Sequence, residues 1–382
     1  MSDGHSSKEH YVEMPIELAV LYRDELREYD FGPGHPFRGD RYQVFPEFLR
    51  EKLTPSVYQE LKADWATDDD LSRICASEYI DYTRAFFRAT SSGLYYNGDF
   101  YRFHSGDNRP AGTPGNVEKG ARLIVGQAKL AVDLIQQETF SKVVSLGGGM
   151  HHAKESYGEG FCIYNDVAFT AKYLLEEYGH QRILILDTDA HAGNGTCAYF
   201  YEDPRVLFID MHQDPMTLYP GTGFVHEIGA NNGRGFTINV PLPPYAGYGS
   251  YEHVFDEIIQ PVTEEFMPQI IIRNGGSDPH FDDGLTRLGL TVSGFKMIGD
   301  RVRQMSTICD GEVVDLIASG YNREVLPYAW LALVSGLGGI ETTVEEPSAV
   351  PPRFQKDPSF DDTKAVVREI KRNLASYWRS LT

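Results

Sequence analysis

Short, unbroken apolar runs recur through the middle of the chain, and they indicate buried strands. Six of them are VVSLGG from 143, ILIL from 183, VLFI from 206, TINV from 237, IIIRNGG from 270 and VVDLIASG from 313. Strands of a parallel sheet are buried on both faces and have this appearance, whereas strands with one face in water alternate between apolar and polar residues. The pattern therefore predicts the strands of a mostly parallel sheet.

Between these runs, apolar residues recur at the three-and-four spacing of amphipathic helices. The stretches are 121–135, 254–262 and, more weakly, 295–305. Alternation of strand and helix favours parallel pairing with helices on both faces of the sheet. We therefore expect an α/β fold in a single domain.

The two ends of the chain differ from this pattern. Residues 1–14 are polar and predict a flexible tail, and residues 15–340 form the expected domain. Residues 341–361 are rich in proline and acidic residues, as surface connections are. Residues 362–382 predict an amphipathic helix that packs on the domain rather than on a second copy. Its apolar face would hold Val366, Ile370, Leu374 and Tyr377.

Composition narrows the class of protein. Hydrophobic residues make up 41% and charged residues 24% of the 382 positions, which is typical of globular proteins. The formal charge of −20 repels nucleic acid and anionic lipid and favours cationic substrates, or it serves only solubility. The four cysteines form no CxxC pair, and neither a signal peptide nor a membrane-spanning run is evident. We expect a cytoplasmic enzyme with no nucleic-acid or membrane partner.

Metal-ligating residue types follow two of the predicted strands. Asp187, Asp189 and His191 alternate after ILIL, so on extended backbone they point to one side. Asp278 follows IIIRNGGS and either completes an Asp-His-Asp set or caps the next turn, a task for which Asp282 and Asp283 are better placed. Oxygen and nitrogen ligands without thiolate suit Zn²⁺, Fe²⁺, Co²⁺ or Mn²⁺.

Proton-transfer groups follow two other runs. His151 and His152 come after a glycine-rich strand end, where a tight turn would aim both rings inward. Histidine exchanges protons near neutral pH, so one ring is a candidate base and the other a candidate stabiliser of charge. Tyr321 follows LIASG, and a phenol beside a metal can donate a hydrogen bond to a developing oxyanion.

Seven spaced motifs resemble the histone deacetylase family. They occur in the family's order between about Tyr29 and Gly336: YDFGPGHPFRGDR, GGGMHHA, GEGFCIYND, DTDAHAGNGT, YPGTG, GGSDPHFDDGLTRLGLT and SGYN. The chain looks most similar to the prokaryotic acetoin-utilisation type. The resemblance implies the arginase–deacetylase fold, with a mostly parallel sheet of about eight strands.

The resemblance also implies roles for individual residues. The metal ligands would be Asp189, His191 and Asp278. The catalytic residues would be His151, His152 as the proton shuttle, Asp187 as the carboxylate that orients His151, and Tyr321. The substrate-binding residues would be Asp107 on the rim, Gly160 and Phe161 on one tunnel wall, Tyr219 opposite, and Leu285. Arg41 would line the acetate exit. A structural potassium ion would lie at Asp187, Asp189, His191, Asp210 and Met211.

Three residues depart from the pattern of many members. Asn194 stands where an Asp is frequent beside the second histidine, and an amide stabilises an imidazolium less than a carboxylate does. Ala192 replaces a frequent second histidine that is not a ligand. Asp210 occupies a position that is more often Ser, and its extra charge would either tighten the potassium site or serve the structure.

These inferences together predict a zinc-dependent deacetylase, with Fe²⁺ as the alternative metal. It would hydrolyse N-acetyl-lysine in a protein or peptide to lysine and acetate, using metal-activated water. A second hypothesis is an amidohydrolase of acetylpolyamines or other small molecules, with an arginase-like ureohydrolase as a weaker variant. A third is a catalytically dead protein that binds acyl-lysine. The sequence leaves the oligomeric state open.

Overall fold

The computed structural model describes residues 16–94, 96 and 98–382, so the predicted tail of residues 1–14 lies outside the described residues. Its centre is one sheet in which every strand pair is parallel. The strands are β1 Leu18–Leu21, β2 Gln59–Leu61, β3 Lys142–Leu146, β4 Ile183–Asp187, β5 Val206–Gln213, β6 Thr237–Leu242, β7 Ile270–Asn274 and β8 Val313–Ile317.

The strands lie side by side in the order β2-β1-β3-β8-β7-β4-β5-β6. All six predicted runs are strands, β3 to β8, and the expected parallel α/β fold of about eight strands is confirmed. β1 and β2 were missed. β1, of sequence LAVL, is a buried apolar run that the prediction overlooked. β2 is an edge strand of sequence QEL whose side chains are exposed or half-buried, so it shows no apolar run.

Helices form a layer on each face of the sheet. They are α1 Arg41–Lys52, α2 Asp68–Leu71, α3 Ser77–Ser91, α4 Phe100–Phe103, α5 Val117–Gln136, α6 Asp166–Glu177, α7 Asn194–Phe200, α8 Tyr248–Val254, α9 Gln260–Phe266, α10 Val292–Met305, α11 Leu326–Gly338 and α12 Phe360–Leu374. One layer contains α3, α5, α6 and α7, and the other contains α1, α8, α9, α10, α11 and α12. None of the helices in the described ranges combines the length and apolarity that crossing a bilayer requires.

The predicted helical stretches correspond to α5, to α8 and α9 joined by a π-helical turn at Phe255–Ile259, and to α10. α11 gave no periodic signal, because nearly all of its residues are apolar and buried. A helix that is buried on all sides has no polar face for periodicity to reveal.

The C-terminal segment differs in detail from the prediction. α12 begins at Phe360 and ends at Leu374, and its buried face is Thr363, Val367, Ile370 and Leu374. Val366 is only half-buried, and Tyr377 lies beyond the helix with 40% of its surface exposed. Two possible helix faces share Ile370 and Leu374, one with Val366 and the other with Thr363 and Val367. The face with Thr363 and Val367 is the one that is buried. Helix α12 contacts β6 and α8.

Candidate active site

The carboxylates of Asp189 and Asp278 converge on the ring of His191. Nδ1 of His191 lies 3.0 Å from Oδ1 of Asp189 and 3.0 Å from Oδ2 of Asp278. One ligand atom from each residue lies within 4.8 Å of the other two, and all three residues are buried. These are the three residues that the sequence predicts as metal ligands.

Strand order explains why these residues meet. β4 and β7 are hydrogen-bonded neighbours whose last residues, Asp187 and Asn274, are register partners. Asp189 lies two residues past the end of β4, and Asp278 four residues past the end of β7. Parallel neighbours end at the same edge of a sheet, so both loops open on one site. The hydroxyl of Ser319, just after β8, donates to Oδ1 of Asp278 at 2.7 Å.

The electrostatics of this group fit a divalent cation. Burial alone would lower the pKa of His191, but the two carboxylates outweigh it and raise the pKa to about 10. Burial, followed by the Asp189 carboxylate, raises the pKa of Asp278 to about 7. With two carboxylates and one imidazole the buried group carries a net negative charge, which a bound cation would compensate. The residues present therefore fit a divalent metal held by one nitrogen and carboxylate oxygens.

The loop that carries the tandem histidines is held by a buried carboxylate. Asp166, at the start of α6, accepts hydrogen bonds from the backbone N–H groups of Gly149 at 2.8 Å and Met150 at 2.7 Å. Gly149 has a φ of +120°, a conformation that glycine adopts readily. This turn lets His151 and His152 both face the site.

His151 is oriented by two residues from neighbouring strands. Oδ2 of Asp187 accepts a hydrogen bond from Nδ1 of His151 at 2.8 Å and another from Nδ2 of Asn274 at 2.9 Å. Burial would lower the pKa of His151, but the carboxylates of Asp187 and Asp189 outweigh it and raise the pKa to about 9. His151 is thus the cationic member of the pair.

His152 differs from its neighbour in environment. Its Nε2 lies 3.1 Å from Nε2 of His151, and its Nδ1 lies 2.8 Å from the amide oxygen of Asn194. Burial, followed by the charges of His151 and His191, lowers the pKa of His152 well below its ordinary value. A neutral imidazole is the state that a proton acceptor requires.

Aromatic rings surround the group formed by Asp189, His191 and Asp278. The ring of His191 lies 6.0 Å from that of His152 and 6.4 Å from that of Tyr321, and Phe161 lies 5.9 Å from Tyr321. Burial, followed by the Asp278 charge, raises the pKa of Tyr321 well above its ordinary value, so its phenol stays protonated. The guanidinium of Arg41 lies 5.7 Å from the Tyr321 ring centroid and donates to the carbonyl of Ala318 at 2.7 Å.

The predicted substrate-binding residues lie near these rings with different exposure. Gly160 has a φ of +61°, and a Cβ there would lie 2.2 Å from Cδ2 of His152, so only glycine fits. Its N–H donates to Oδ2 of Asp107 at 3.0 Å. The ring of Tyr219 lies 5.1 Å from that of His152 and is 41% exposed. Leu285 is 40% exposed on the turn that Asp283 caps at 2.8 Å.

The residues of the predicted potassium site lie close together, at the end of β4, in the loop that follows it and in the neighbouring strand β5. Asp187 and Asp210 are register partners, and Met211 follows. Both oxygens of Asp210 are engaged, because Oδ1 accepts from Nδ1 of His212 at 2.9 Å and Oδ2 from the N–H of Gly193 at 2.8 Å. The Asp210 side chain thus balances a buried histidine, and potassium binding stays a prediction.

Several residues at the site were missed from the sequence. Asp166, Asn274 and Ser319 hold the residues described above, and His35 donates from Nε2 to the carbonyl of Asp107 at 2.7 Å. Each lies in a quoted motif or at the end of an apolar run, which is the signal that could have found it. Glu159 was also missed, and it contacts Asn194 at 2.9 Å.

Comparisons with known proteins identify the family. The histone deacetylase domain matches residues 35–337. A probable deacetylase of Archaeoglobus fulgidus is 33% identical over 371 residues, which cover 94% of this chain and 98% of that protein. The acetoin utilization protein AcuC of Staphylococcus aureus is 36% identical over 316 residues, covering 82% of this chain and 80% of that protein. AcuC of Staphylococcus xylosus is 36% identical over 319 residues, covering 83% and 81%.

The fold is also that of a solved relative. The HDA15 HD domain matches with a TM-score of 0.77 and 25% identity, over 96% of this chain and 97% of that one. Since the family match spans most of the chain and full-length relatives share a third of its residues, the chain belongs to the histone deacetylase family. It is therefore a deacetylase whose buried Asp-His-Asp group fits the divalent metal of that family.

Proposed function

We propose that the protein hydrolyses N-acetyl-lysine, in a protein or peptide, to lysine and acetate, with Zn²⁺ as the metal and Fe²⁺ as its alternative. The observation that carries the proposal is the placement of His151, His152 and Tyr321 around the buried Asp189, His191 and Asp278 group. Such a set contains a proton acceptor, a charge stabiliser and an oxyanion donor.

The metal would be held by Asp189, His191 and Asp278. When bound, a divalent cation polarises the acyl carbonyl and makes water acidic enough to react near neutral pH. His152 accepts the proton of the attacking water and then gives it to the departing amine of lysine. His151, tied to Asp187, stabilises the negative charge that develops, and the Tyr321 phenol donates a hydrogen bond to the oxyanion on the acyl carbon.

The walls and charge of the site support a long, cationic substrate. Phe161 and Tyr219 offer apolar surface that suits the methylene stem of acyl-lysine, and the partly exposed ring of Tyr219 would lie where the substrate enters. Asp107, whose Oδ2 accepts from the N–H of Gly160, would also accept hydrogen bonds from the substrate backbone. The net charge of −20 attracts lysine-rich segments. The cytoplasmic location and the potassium ion remain part of this proposal.

The test is a substrate panel on protein stripped of metal and reloaded with either Zn²⁺ or Fe²⁺. We expect acetate release from an acetyl-lysine peptide in the reloaded protein, and slower release from acetylputrescine. Faster turnover of acetylputrescine would replace the lysine proposal with a small-molecule amidohydrolase. Tight binding of the peptide with metal bound but no acetate from either substrate would indicate a binding protein instead.

A further inference from the structure

The side chain of Asn194 lies between His152 and Glu159. Its amide oxygen faces Nδ1 of His152 at 2.8 Å, and its amide nitrogen donates to Oε1 of Glu159 at 2.9 Å. The same Glu159 oxygen lies 2.7 Å from the ammonium nitrogen of Lys154. A continuous row of contacts therefore runs from the outer loop of the site to the buried ring of His152.

The direction of this amide decides where the proton on His152 lies. An amide oxygen only accepts, so the nitrogen that faces it, Nδ1, must carry hydrogen. In a neutral ring this leaves the lone pair on Nε2, which faces Nε2 of His151 at 3.1 Å and can accept a hydrogen bond from it. If the amide were reversed, its NH₂ group would face Nδ1, the ring proton would move to Nε2, and His152 could not accept a proton there.

Glu159 supplies the constraint on this direction. A carboxylate only accepts, so the NH₂ group of Asn194 must face it, and reversal would bring two oxygen atoms together. The Glu159 side chain is only 15% exposed, so water competes weakly for this contact. The position of Glu159 along the loop is fixed too, because the next residue, Gly160, packs directly against the His152 ring.

We propose that Glu159 is a positioning residue for the hydrolysis: it fixes the amide of Asn194, and through it the tautomer in which Nε2 of His152 is the proton acceptor. The inference rests on the proposed function. It also explains how an amide serves where a carboxylate would orient the ring by charge. In this protein the carboxylate of Glu159 contacts Asn194 instead of the histidine, and the fixed Asn194 amide in turn orients the His152 ring.

The first test compares variants of Glu159. In Glu159→Ala we expect kcat on an acetyl-lysine peptide to fall about tenfold, the size of one charge-assisted hydrogen bond, with KM and metal content unchanged. Glu159→Gln should recover most of this loss, because its amide oxygen still accepts from Asn194. The matched control is Glu155→Ala, which removes a carboxylate of the same loop. Among the described residues the Glu155 side chain forms no hydrogen bond, so its kcat should match the wild type.

The second test uses an Asn194→Asp background. A carboxylate at 194 accepts from Nδ1 in either orientation and fixes the proton there without help, so adding Glu159→Ala to this background should cause no further loss of kcat. An equal loss in both backgrounds would overturn the proposal, as would a loss confined to KM. Either result would show that Glu159 does not act through the amide of Asn194.

The third measurement does not depend on turnover. The ¹⁵N spectrum of histidine-labelled, metal-loaded protein, assigned by comparison with His152→Ala, reports which ring nitrogen carries the proton. We expect protonated Nδ1 in the wild type and a mixture of tautomers in Glu159→Ala. An unchanged His152 signal in Glu159→Ala would overturn the inference. If no acyl substrate is cleaved but the tautomer shifts as expected, the proposed function fails and the positioning role stands.

Discussion

Two buried ionic groups lie a few residues apart in the same sheet, and they differ in charge balance. Arg273 of β7 and Asp315 of β8 are register partners in the sheet interior, each 2% exposed, and their side chains form an ion pair. Asp189, His191 and Asp278 lie just beyond the strand ends and are buried too. The interior pair is one cation against one anion, whereas the group at the edge has two carboxylates for one imidazole.

This difference separates a structural charge from a functional one. A buried charge is costly unless a partner compensates it. Arg273 and Asp315 carry opposite charges and form an ion pair, so the net charge of this pair is zero. The edge group retains negative charge: its two carboxylates raise the pKa of His191 to about 10, and burial together with the Asp189 charge raises that of Asp278 to about 7. Burial alone therefore does not indicate a binding site, and an unbalanced buried charge does.

The largest expected effect comes from removing one of the unbalanced carboxylates. Asp278→Asn should lose the metal and with it about 10³-fold or more of the acetate-release rate, since the cation supplies several kcal/mol of transition-state stabilisation. Elemental analysis and turnover measure both. The metal-stripped variant should be no less stable to urea than stripped wild type, because the change relieves repulsion. A marked destabilisation of the stripped form would contradict this interpretation of the charge imbalance.

The opposite outcome is expected in the interior pair. Arg273→Met leaves Asp315 buried without a partner, and breaking such a pair commonly costs about 3–5 kcal/mol of unfolding free energy. Urea denaturation measures the loss, and activity per folded molecule and metal content should be unchanged. Adding Asp315→Leu removes the orphaned charge and should restore most of the stability. If the double variant is as unstable as the single one, packing rather than charge explains the loss.

Tyr321→Phe tests a residue that lies beside the group of Asp189, His191 and Asp278 but is not one of the three metal ligands. The ring and its packing against Phe161 remain, so metal content and stability should match the wild type. Loss of one oxyanion donor commonly costs about 10²–10³-fold in rate. We therefore expect kcat on an acetyl-lysine peptide to fall by that factor. Wild-type turnover in Tyr321→Phe would refute the oxyanion role.

The comparison also shows which parts of the fold are visible in the sequence. β7 reads as an apolar run because both faces of the sheet are covered, and its Arg273 does not conceal the pattern. β2 is invisible because an exposed edge strand of three residues needs no apolar side chains. α11 is invisible for the opposite reason, since it is buried all round. Periodicity in the sequence arises where one face of an element is buried and the opposite face is in water. It is absent when the whole element is buried or the whole element is exposed.

At the site, residue types were predictable and their connections were not. Asp189, His191 and Asp278 stand at the ends of apolar runs, so parallel pairing brings them together. The contact between Asn194 and Glu159 joins residues 35 apart, and Glu159 directly precedes the turn at Gly160, which has a φ of +61°. Ser319 and Asp278 are 41 residues apart on different loops. Such contacts depend on loop geometry, which carries no periodic signal.

The smallest expected effect concerns a charge that joins the connection after α11 to the loop that carries Asp278. Oε2 of Glu346 accepts from Nε2 of His280 at 3.0 Å, and Oε1 accepts from the N–H of Val292 at the start of α10. His280 is buried, and its Nδ1 accepts from the N–H of Asp282 at 3.1 Å. Glu346 thus holds the far side of the metal-binding loop.

Glu346→Gln keeps one acceptor and gives up the charge, so we expect a loss of about 1 kcal/mol in unfolding free energy, measured in urea. Because Glu346 has no contact with the three metal ligands among the described residues, metal content and kcat should be unchanged. Glu345→Gln, one residue earlier on the exposed connection, is the matched control and should have no effect. If Glu346→Gln instead weakens metal binding while stability is retained, Glu346 supports the metal site through the loop that carries Asp278. The metal site would then include residues outside the group with unbalanced charge.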